Sequence, residues 1–481
     1  MAYLHGVRVQ ENPTSVASPV SNESGVPVIF GTAPVNLASD PANAVNRLFL
    51  CRTFAEAKAA VGYSEDYDKY TLCQAMDAFF KAFGVGPVVI CNVLDPATHK
   101  TEYTETLTVT NGQAVSKTEG VLLSGLTVKA DSAALTLDSD YTVEFNDNGF
   151  IVVTVIKEGV TSVTLSGSKL DPAAVTEESI IGSYDAETGK ETGFELVRKV
   201  YPTFGLAPGL LLAPGWTHKP SVGLALAAKC TDINGVFKCE CVLDIDCTST
   251  GALKYTDVAD VKSESGYLGK HTIALWPMVK FAGKIMAYSA LYAAMTMYTD
   301  YNNDSVPSLS PSNKALRASA TVLADGTEVV LDSVQANELN AVGVVTAVNM
   351  NGFKSWGNNT AAYPDTTDPK DRWICCRRFF SWWGNNFIMT YLEEVDDPAN
   401  YRLIESVVDS ENVRGNSLVS QDKCAGIRME YSKDDNPIEK VLDGKIVFRQ
   451  YLAPYTPAED ILNILEFDPS MIEAALGGGE E

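Results

Sequence analysis

Two apolar segments near the C-terminus decide how this chain is organised: Lys445-Ile446-Val447-Phe448-Arg449-Gln450-Tyr451-Leu452 and Asp460-Ile461-Leu462-Asn463-Ile464-Leu465-Glu466-Phe467. Both are rich in β-branched, aromatic or other apolar residues, so each predicts a strand. Pro454 and Pro457 separate them. The second segment carries apolar side chains on both faces, and both faces therefore need cover. Terminal segments are normally polar and frayed, so we expect this one to join a sheet.

The N-terminus repeats the pattern. A short strand is predicted over Tyr3 to Gln10, behind a loose spacer that holds Pro13 and Pro19. Strands on tethers can fold back on their own domain, or they can add to the sheet of a neighbouring copy. Under the second interpretation, both arms link subunits, and the residues expected in the linking strands are Tyr3, Val7, Val9, Ile446, Phe448, Ile461, Ile464, Leu465 and Phe467.

Composition excludes several classes of protein. The 481 residues are 46% hydrophobic, enough for several domains with large cores. Lys and Arg number 37 against 61 Asp and Glu, a net charge of -24, which argues against a nucleic-acid partner. No signal peptide is recognised, and the longest apolar run, Phe281 to Tyr298, predicts a buried helix rather than a membrane span. The ten cysteines are expected to be reduced thiols.

The first part of the chain alternates strands and helices. Strands are predicted at Val26 to Pro34 and Pro87 to Leu94, and helices at Thr53 to Val61 and Leu72 to Phe83. From residue 98 to 183 the texture changes to short segments rich in Thr, Val and Ser, separated by turn signals such as Asn111-Gly112. This stretch predicts a small β-sandwich inserted into the α/β part.

The alternation of strands and helices then resumes, and a C-terminal part with a different pattern follows it. The clearest alternation runs from Phe237 to Cys247 and predicts a strand with one apolar face, the other face carrying Lys238, Glu240, Asp244 and Asp246. Beyond the charged stretch Pro364 to Arg372, two helices and a strand are predicted, at Arg372 to Tyr391, Asn400 to Val413 and Cys424 to Tyr431.

The resulting fold class is a multidomain α+β or α/β protein with a mixed α/β core, an inserted all-β sandwich and a C-terminal α+β domain carrying extended strand arms. The expected boundaries are an N-terminal arm over 1–22, the core over 23–97 plus 184–365, the insertion over 98–183, the C-terminal domain over 366–443 and the terminal strand and arm over 444–481.

Motifs of catalysis are missing from the sequence. It contains no Walker loop, Rossmann glycine pattern, nucleophile elbow or zinc-binding helix motif. The four histidines lie in four different segments, and Cys239, Cys241 and Cys247 fit an apolar strand face better than a zinc knuckle. The cluster of Arg372, Arg377 and Arg378 is expected to pair with acidic neighbours such as Asp371 and Glu393-Glu394. We therefore predict no enzyme activity, cofactor or metal.

The order of several short motifs resembles the contractile tail sheath proteins of myophages, R-type bacteriocins and related injection machines. His5-Gly6-Val7-Arg8-Val9 and Gly31-Thr32-Ala33-Pro34 are similar to the family's opening, and Leu212-Ala213-Pro214-Gly215-Trp216 to its middle. Asn351 to Thr360 resembles its Trp-Gly-Asn-Arg-Thr segment, with Asn359 where Arg is usual, and Ser310 to Lys314 loosely resembles Ala-Pro-Ala-Asn. The insertion has no fixed counterpart.

This resemblance implies hexameric rings, stacked helically around an inner tube protein, in a particle that also holds baseplate and tail terminator proteins. It implies that the N- and C-terminal strands of neighbours join one subunit's C-terminal sheet, that the extended sheath contracts without nucleotide, and that assembly occurs in the bacterial cytoplasm. It places the tube-facing surface on a helix of the C-terminal domain, where the candidates are Arg402, Arg414 and Lys423. Neither nucleic-acid binding nor membrane insertion is expected.

A rival interpretation is a surface adhesin or carbohydrate-binding protein that uses the inserted β domain. The missing signal peptide argues against it, unless a particle displays the insertion.

Overall fold

A computed structural model describes residues 24–477. Within these residues the strands are β1 (Val26–Gly31), β2 (Leu48–Cys51), β3 (Val88–Asn92), β4 (Lys100–Thr108), β5 (Gln113–Val115), β6 (Thr127–Ala130), β7 (Ala133–Ala134), β8 (Tyr141–Phe145), β9 (Ile151–Val155), β10 (Ser162–Leu170), β11 (Pro208–Leu212), β12 (Glu240–Asp244), β13 (Thr272–Leu275), β14 (Met278–Phe281), β15 (Lys284–Met286), β16 (Ala320–Val322), β17 (Val344–Asn349), β18 (Phe353–Trp356), β19 (Gly426–Glu430) and β20 (Arg449–Ala453).

Over the same residues, the α-helices are α1 (Phe54–Val61), α2 (Leu72–Met76), α3 (Glu177–Ile181), α4 (Val200–Phe204), α5 (Pro220–Ala228), α6 (Val258–Glu264), α7 (Tyr288–Tyr301), α8 (Ser333–Ala341), α9 (Pro369–Arg372), α10 (Ile374–Tyr391), α11 (Tyr401–Ser420), α12 (Ile438–Leu442) and α13 (Pro469–Gly477). A π-helical segment, Asp77–Phe83, continues α2. Thr53 caps α1 by accepting a hydrogen bond from the Glu56 amide, a role that threonine commonly fills before a helix.

The core is an eight-stranded sheet in the order β18-β17-β13-β12-β11-β1-β3-β2. Its inner strands are parallel, and β2 and β18 pair antiparallel at the two edges. Every residue of β1, β3, β12 and β13 is buried. Such burial is typical of a parallel sheet whose two faces are covered by helices. The structure is thus a mixed α/β fold with additional sheets.

The alternation over Phe237 to Cys247 contains strand β12, and the face that carries the polar residues is buried as well as the apolar face. Glu240 and Asp244 of β12 are 2% and 8% exposed, because β12 lies inside the sheet. Asp244 accepts hydrogen bonds from the Ser289 amide and hydroxyl and from Thr217, which replace its lost hydration. Burial nevertheless raises the pKa of Asp244.

Residues 100–170 contain two small sheets, β4-β10-β6-β7 and β5-β9-β8. A single apolar cluster fills the space between them, and its largest members include Tyr103, Tyr141 and Ile151. Two antiparallel sheets around one core have the layout of a β-sandwich. That residues 98–183 form a separable domain stays a prediction.

The predicted helix over Phe281 to Tyr298 starts too early. Met278–Phe281 and Lys284–Met286 form the hairpin of β14 and β15, and helix α7 begins only at Tyr288. The turn has left-handed backbone at Ala282 (φ 48°) and Gly283 (φ 82°). Gly283 is a residue type that marks such a turn, but the apolar residues on both sides of it favour a continuous helix and hide the signal.

The C-terminal lobe consists of α10, α11 and the two-stranded antiparallel sheet β19-β20. Its small core contains Phe379, Trp383, Cys424 and Ile427, against which Leu452 of β20 packs. Helix α11 begins after Asn400, whose side chain accepts a hydrogen bond from the Leu403 amide, and it extends seven residues beyond the predicted end at Val413 to Ser420.

Candidate functional site

Helix α10 joins the C-terminal lobe to the α/β core through a buried polar stripe. Arg378, Ser381 and Asn385 follow one another at helical spacing, so they lie on one face. Ser381 donates to Glu240 Oε1 at 2.6 Å, and the Asn385 amide exchanges two hydrogen bonds with the backbone of Lys238, at 3.0 and 2.6 Å. These hydrogen bonds therefore fix the lobe to Glu240 of strand β12 and to Lys238, two residues before it.

The strongest contact of this stripe is an ion pair between Arg378 and Asp300 of α7. The two side chains are 3% and 1% exposed. Arg378 Nη1 lies 3.1 Å from Asp300 Oδ1, and Nη2 donates to Oδ2, so the pairing is bidentate. Burial alone lowers the pKa of Arg378, but Asp300 outweighs burial and holds that pKa above its ordinary value. Arg377 pairs with Asp371 as expected, whereas the predicted partners Glu393-Glu394 do not hold Arg378.

A second buried carboxylate organises the lobe itself. Glu411 of α11 is fully buried. Its Oε1 accepts from Arg414 Nη1 at 2.7 Å and from the Tyr391 hydroxyl at 3.2 Å, and its Oε2 accepts from Gln450 Nε2 at 2.9 Å. Gln450 belongs to β20, so Glu411 links both helices of the lobe to its sheet. Sequence reasoning missed Glu411 because nothing in its neighbourhood distinguishes it from an exposed helix residue.

Helix α11 also approaches β19 closely. A Cβ atom added at Gly415 would lie 2.7 Å from Ile427 Cβ and 3.1 Å from the Ile427 carbonyl oxygen. Real Cβ atoms essentially never show the first of these distances, so glycine is needed at this helix position.

We therefore expect Gly415→Ala to destabilise the lobe by about 1–3 kcal/mol, since the helix and strand must separate. The matched control is Gly384→Ala on α10, where a Cβ would meet nothing within 4 Å. That substitution is expected to be neutral or stabilising by about 0.5–1 kcal/mol, because alanine favours a helix interior. Urea unfolding followed by tryptophan fluorescence measures both variants. Equal effects would contradict the close contact.

The two-stranded sheet has one covered edge and one open edge. On the β19 side, Asn412 occupies the edge: its Nδ2 donates to the Met429 carbonyl at 3.0 Å and its Oδ1 accepts from the Met429 amide at 2.8 Å. Met429 and its partner Gln450 therefore form a non-hydrogen-bonded pair, which directs the backbone groups of Gln450 outward from β20. No described strand pairs with that outer edge. The edge can accept another strand.

The segment after β20 leaves the body of the protein. Residues 461–468 have no regular structure, and α13 follows. Their large apolar side chains are almost fully exposed: Ile461 84%, Leu462 79%, Ile464 72%, Leu465 87% and Phe467 79%. Soluble monomers rarely expose so many contiguous apolar side chains, and such patches mark interaction sites. Within one chain, the predicted strand at Asp460–Phe467 does not form and does not fold back on its own sheet.

The other residues predicted in the linking strands lie near the N-terminus and just before β20. Tyr3, Val7 and Val9 lie outside the described residues. Ile446 and Phe448 are half-buried and precede β20, so the strand predicted to start at Lys445 starts at Arg449. The Asn436 side chain accounts for this later start. Its Oδ1 accepts from the Val447 amide at 2.6 Å and its Nδ2 donates to the Val447 carbonyl at 2.8 Å, so the Val447 backbone is not free to pair with β19. The linking role of all these residues stays a prediction.

The three basic candidates for a tube-facing surface lie in different surroundings. Arg402 is exposed on the first turn of α11. Arg414 is 15% exposed; it pairs with Glu411 and lies 4.0 Å from the centroid of the Trp383 ring. Lys423 is 12% exposed and binds Asp304 and Asn303. Of these three residues, Arg402 has the charge most accessible to a partner.

The residue types that support catalysis are dispersed. His271 lies 3.3 Å from Glu240 under α10, and His99 accepts from the Asp95 amide. Burial lowers the pKa of His218. All ten cysteines are free and buried. Over residues 24–477 there is no group of three or more His, Cys, Asp and Glu suited to a metal, and no helix in that range is long and apolar enough to cross a membrane.

Comparison with curated proteins finds similar sequences. The chain is 25% identical to the tail sheath protein of Burkholderia phage BcepMu over 491 residues, which covers 99% of both sequences. It is 24% identical to the tail sheath protein of Escherichia phage P2 over 60% of this chain and 70% of that one. A shorter match to the major tail sheath protein of Serratia phage KSP20 is 32% identical over 148 residues, which cover 30% of this chain and 36% of that protein. No family model matches.

Solved structures of sheath and baseplate assemblies contain chains with the same fold. A chain of the anti-feeding prophage helical sheath in its contracted state superposes with a TM-score of 0.57 and 17% identity, over 98% of this chain and 100% of that one. A chain of the anti-feeding prophage baseplate gives a TM-score of 0.57 and 16% identity, over 97% and 100%. At this identity the likeness concerns the fold.

Proposed function

Because the chain belongs to the tail sheath protein family, we propose that it polymerises helically around an inner tube and contracts from a metastable extended state to drive that tube through a target cell envelope. Its role is that of a structural sheath subunit, and the adhesin alternative loses its support, since the full-length relative is a sheath protein. The observations that carry the mechanism are the exposed apolar side chains of the arm and the open outer edge of β20.

The arm supplies the energy of association. Burying one large apolar side chain contributes roughly 1.5–3 kcal/mol, so the five exposed side chains between Ile461 and Phe467 offer on the order of 10 kcal/mol before the cost of ordering the segment is subtracted. Pairing with a β20 edge would add backbone hydrogen bonds that tolerate rotation of the subunits. Each subunit would then be tied to neighbours by flexible connections that persist while other contacts change.

Arms that pass from one copy to the next are heterologous contacts, and heterologous contacts that do not close generate helical arrays. We infer hexameric rings stacked in this way, with the N-terminal arm (1–22) as a second link. The extended sheath would be held by a kinetic barrier, and contraction would be driven by the formation of larger contacts between subunits. The baseplate and a terminator protein would hold the two ends, and assembly would take place in the bacterial cytoplasm.

Negative-stain electron microscopy of the purified chain, alone and with its tube protein, tests this function. We expect hollow, cross-striated tubes whose lumen is filled when the tube protein is present. If the chain remained dispersed at high concentration and also in the presence of the tube protein, the sheath mechanism would be refuted.

The tube-facing surface is tested in the same assay. Arg402, Arg414 and Lys423 are the proposed contacts, and Arg402 is the most exposed of them. We expect Arg402→Glu to reduce the fraction of tube-filled polymers several-fold, because a reversed charge repels an acidic partner surface, while tube-free polymers remain. The control is Arg52→Glu, an equal charge change at an exposed arginine just before α1. If Arg402→Glu abolished polymers with and without the tube alike, the residue would belong to a sheath contact instead.

A further inference from the structure

The base of the C-terminal arm is attached to the body of the protein at two points. The Cys376 thiol donates to the Tyr455 carbonyl at 3.8 Å, near the start of α10. Four residues later, Arg372 Nη2 donates to Glu459 Oε2 at 2.8 Å. Residues 455–459 are thereby held along the body, and the arm becomes free only after Glu459.

Arg372 is itself fixed before it binds the arm. Its Nε donates to Asn359 Oδ1 at 2.9 Å, and Asn359 in turn donates to the Asn340 carbonyl at 3.0 Å. The guanidinium carbon lies 3.9 Å from the ring centroid of Trp373 and 4.5 Å from that of Tyr363. Because a planar guanidinium held by rings and an amide loses little further freedom on pairing, it is well suited to hold one carboxylate.

The contact between Arg372 and Glu459 lies in the connection between β20 and the apolar part of the arm. Strand β20 ends at Ala453, and six residues, 454–459, separate it from Asp460. A connection of about this length can close a hairpin, and the outer edge of β20 is open to such a strand. An arm that closed on its own sheet would cover its apolar side chains and would have no strand left for a neighbour. With Glu459 bound to Arg372, residues 455–459 instead run along the body of the protein.

We propose that Arg372 is a positioning residue that prevents the C-terminal arm from pairing with its own β20, so that this edge and the arm remain available to a second copy of the chain. The inference rests on the exchange of arms described above. It assigns a specific task to Arg372: the choice between intramolecular and intermolecular strand addition.

Distances between two spin labels in the dilute monomer test the proposal. The labels are placed at Ile464→Cys on the arm and at Val413→Cys on α11, which packs on β19; the two positions are 72% and 54% exposed. All ten native cysteines are buried, so the introduced ones react selectively. In the otherwise unchanged chain we expect mainly the longer separation of an arm held away from the sheet.

Glu459→Gln and Arg372→Gln should each increase the population of a shorter separation about two- to fivefold, the effect of losing a partly exposed ion pair. The double variant Arg372→Glu with Glu459→Arg should restore the original distribution. Glu466→Gln is the matched control, since it removes the same charge from the arm beyond the contact.

Identical distributions in both single variants would overturn the proposal. So would a predominantly short separation in the unchanged chain, because the arm would then already lie on its own sheet. These distances are read in the monomer and judge Arg372 independently of polymerisation, whereas electron microscopy judges the sheath function independently of Arg372.

Discussion

Arg378→Ala is expected to destabilise the protein by about 3–5 kcal/mol. The substitution removes one partner of a fully buried ion pair and leaves the Asp300 carboxylate, 1% exposed, without its counter-charge. It also removes the central contact of the polar stripe that fixes α10 to the core. The midpoint of urea unfolding, read from tryptophan fluorescence, is expected to fall markedly.

The control separates the loss of the pair from the loss of one charge. Replacing both partners by apolar side chains of similar volume, Arg378→Met with Asp300→Leu, is expected to recover most of the stability, because no buried charge is then left unpaired. A loss from Arg378→Ala below about 1 kcal/mol, the range of an exposed pair, would show that the ion pair is accessible to water.

Removal of residues 458–481 is expected to yield a folded monomer that does not polymerise. The truncation removes the exposed apolar segment and leaves every strand from β1 to β20 intact. Losing even 3 kcal/mol of contact energy weakens association more than about a hundredfold. Sedimentation velocity over a range of concentrations measures the association, and circular dichroism verifies the fold.

Two further variants test whether the loss of polymerisation comes from the apolar side chains of the arm. Removal of residues 478–481 alone should leave polymerisation unchanged. Replacement of Ile461, Leu465 and Phe467 by serine in the full-length chain should impair it as the long truncation does, because it deletes the apolar contacts without shortening the chain. Normal polymers from the long truncation would exclude the C-terminal arm as a link, and removal of residues 1–20 tests the N-terminal arm in the same way.

Local sequence predicts the elements whose own residues determine them. Thr53 caps α1, Asn351-Gly352 turns β17 into β18 with left-handed backbone at both residues, and Gly84 ends the helical segment that begins at Leu72. Capping, turn and termination depend on one to three neighbouring side chains, so they are visible without tertiary structure.

Features that depend on distant residues are not visible in this way. The partner of Arg378 is Asp300, 78 residues earlier, and the carboxylates expected nearby in sequence do not bind it. Glu240 and Asp244 sit at alternating positions typical of an exposed face, yet the order of strands in the sheet buries them. The apolar pattern of Asp460–Phe467 predicts a segment that needs cover, but a pattern does not specify whether that cover comes from the same chain.

The most direct test of arm exchange is a disulfide cross-link between two different copies. One copy carries a single introduced cysteine in the arm, at Ile461, Ile464 or Phe467 in turn, and the other carries one at Tyr451 on β20, whose side chain is 45% exposed; the ten native cysteines are buried and do not compete. If arms pass between subunits, the mixed polymer will give a covalent dimer for at least one arm position under mild oxidation. If a disulfide forms only when both cysteines are placed in the same chain, the arm covers its own sheet and the account is contradicted.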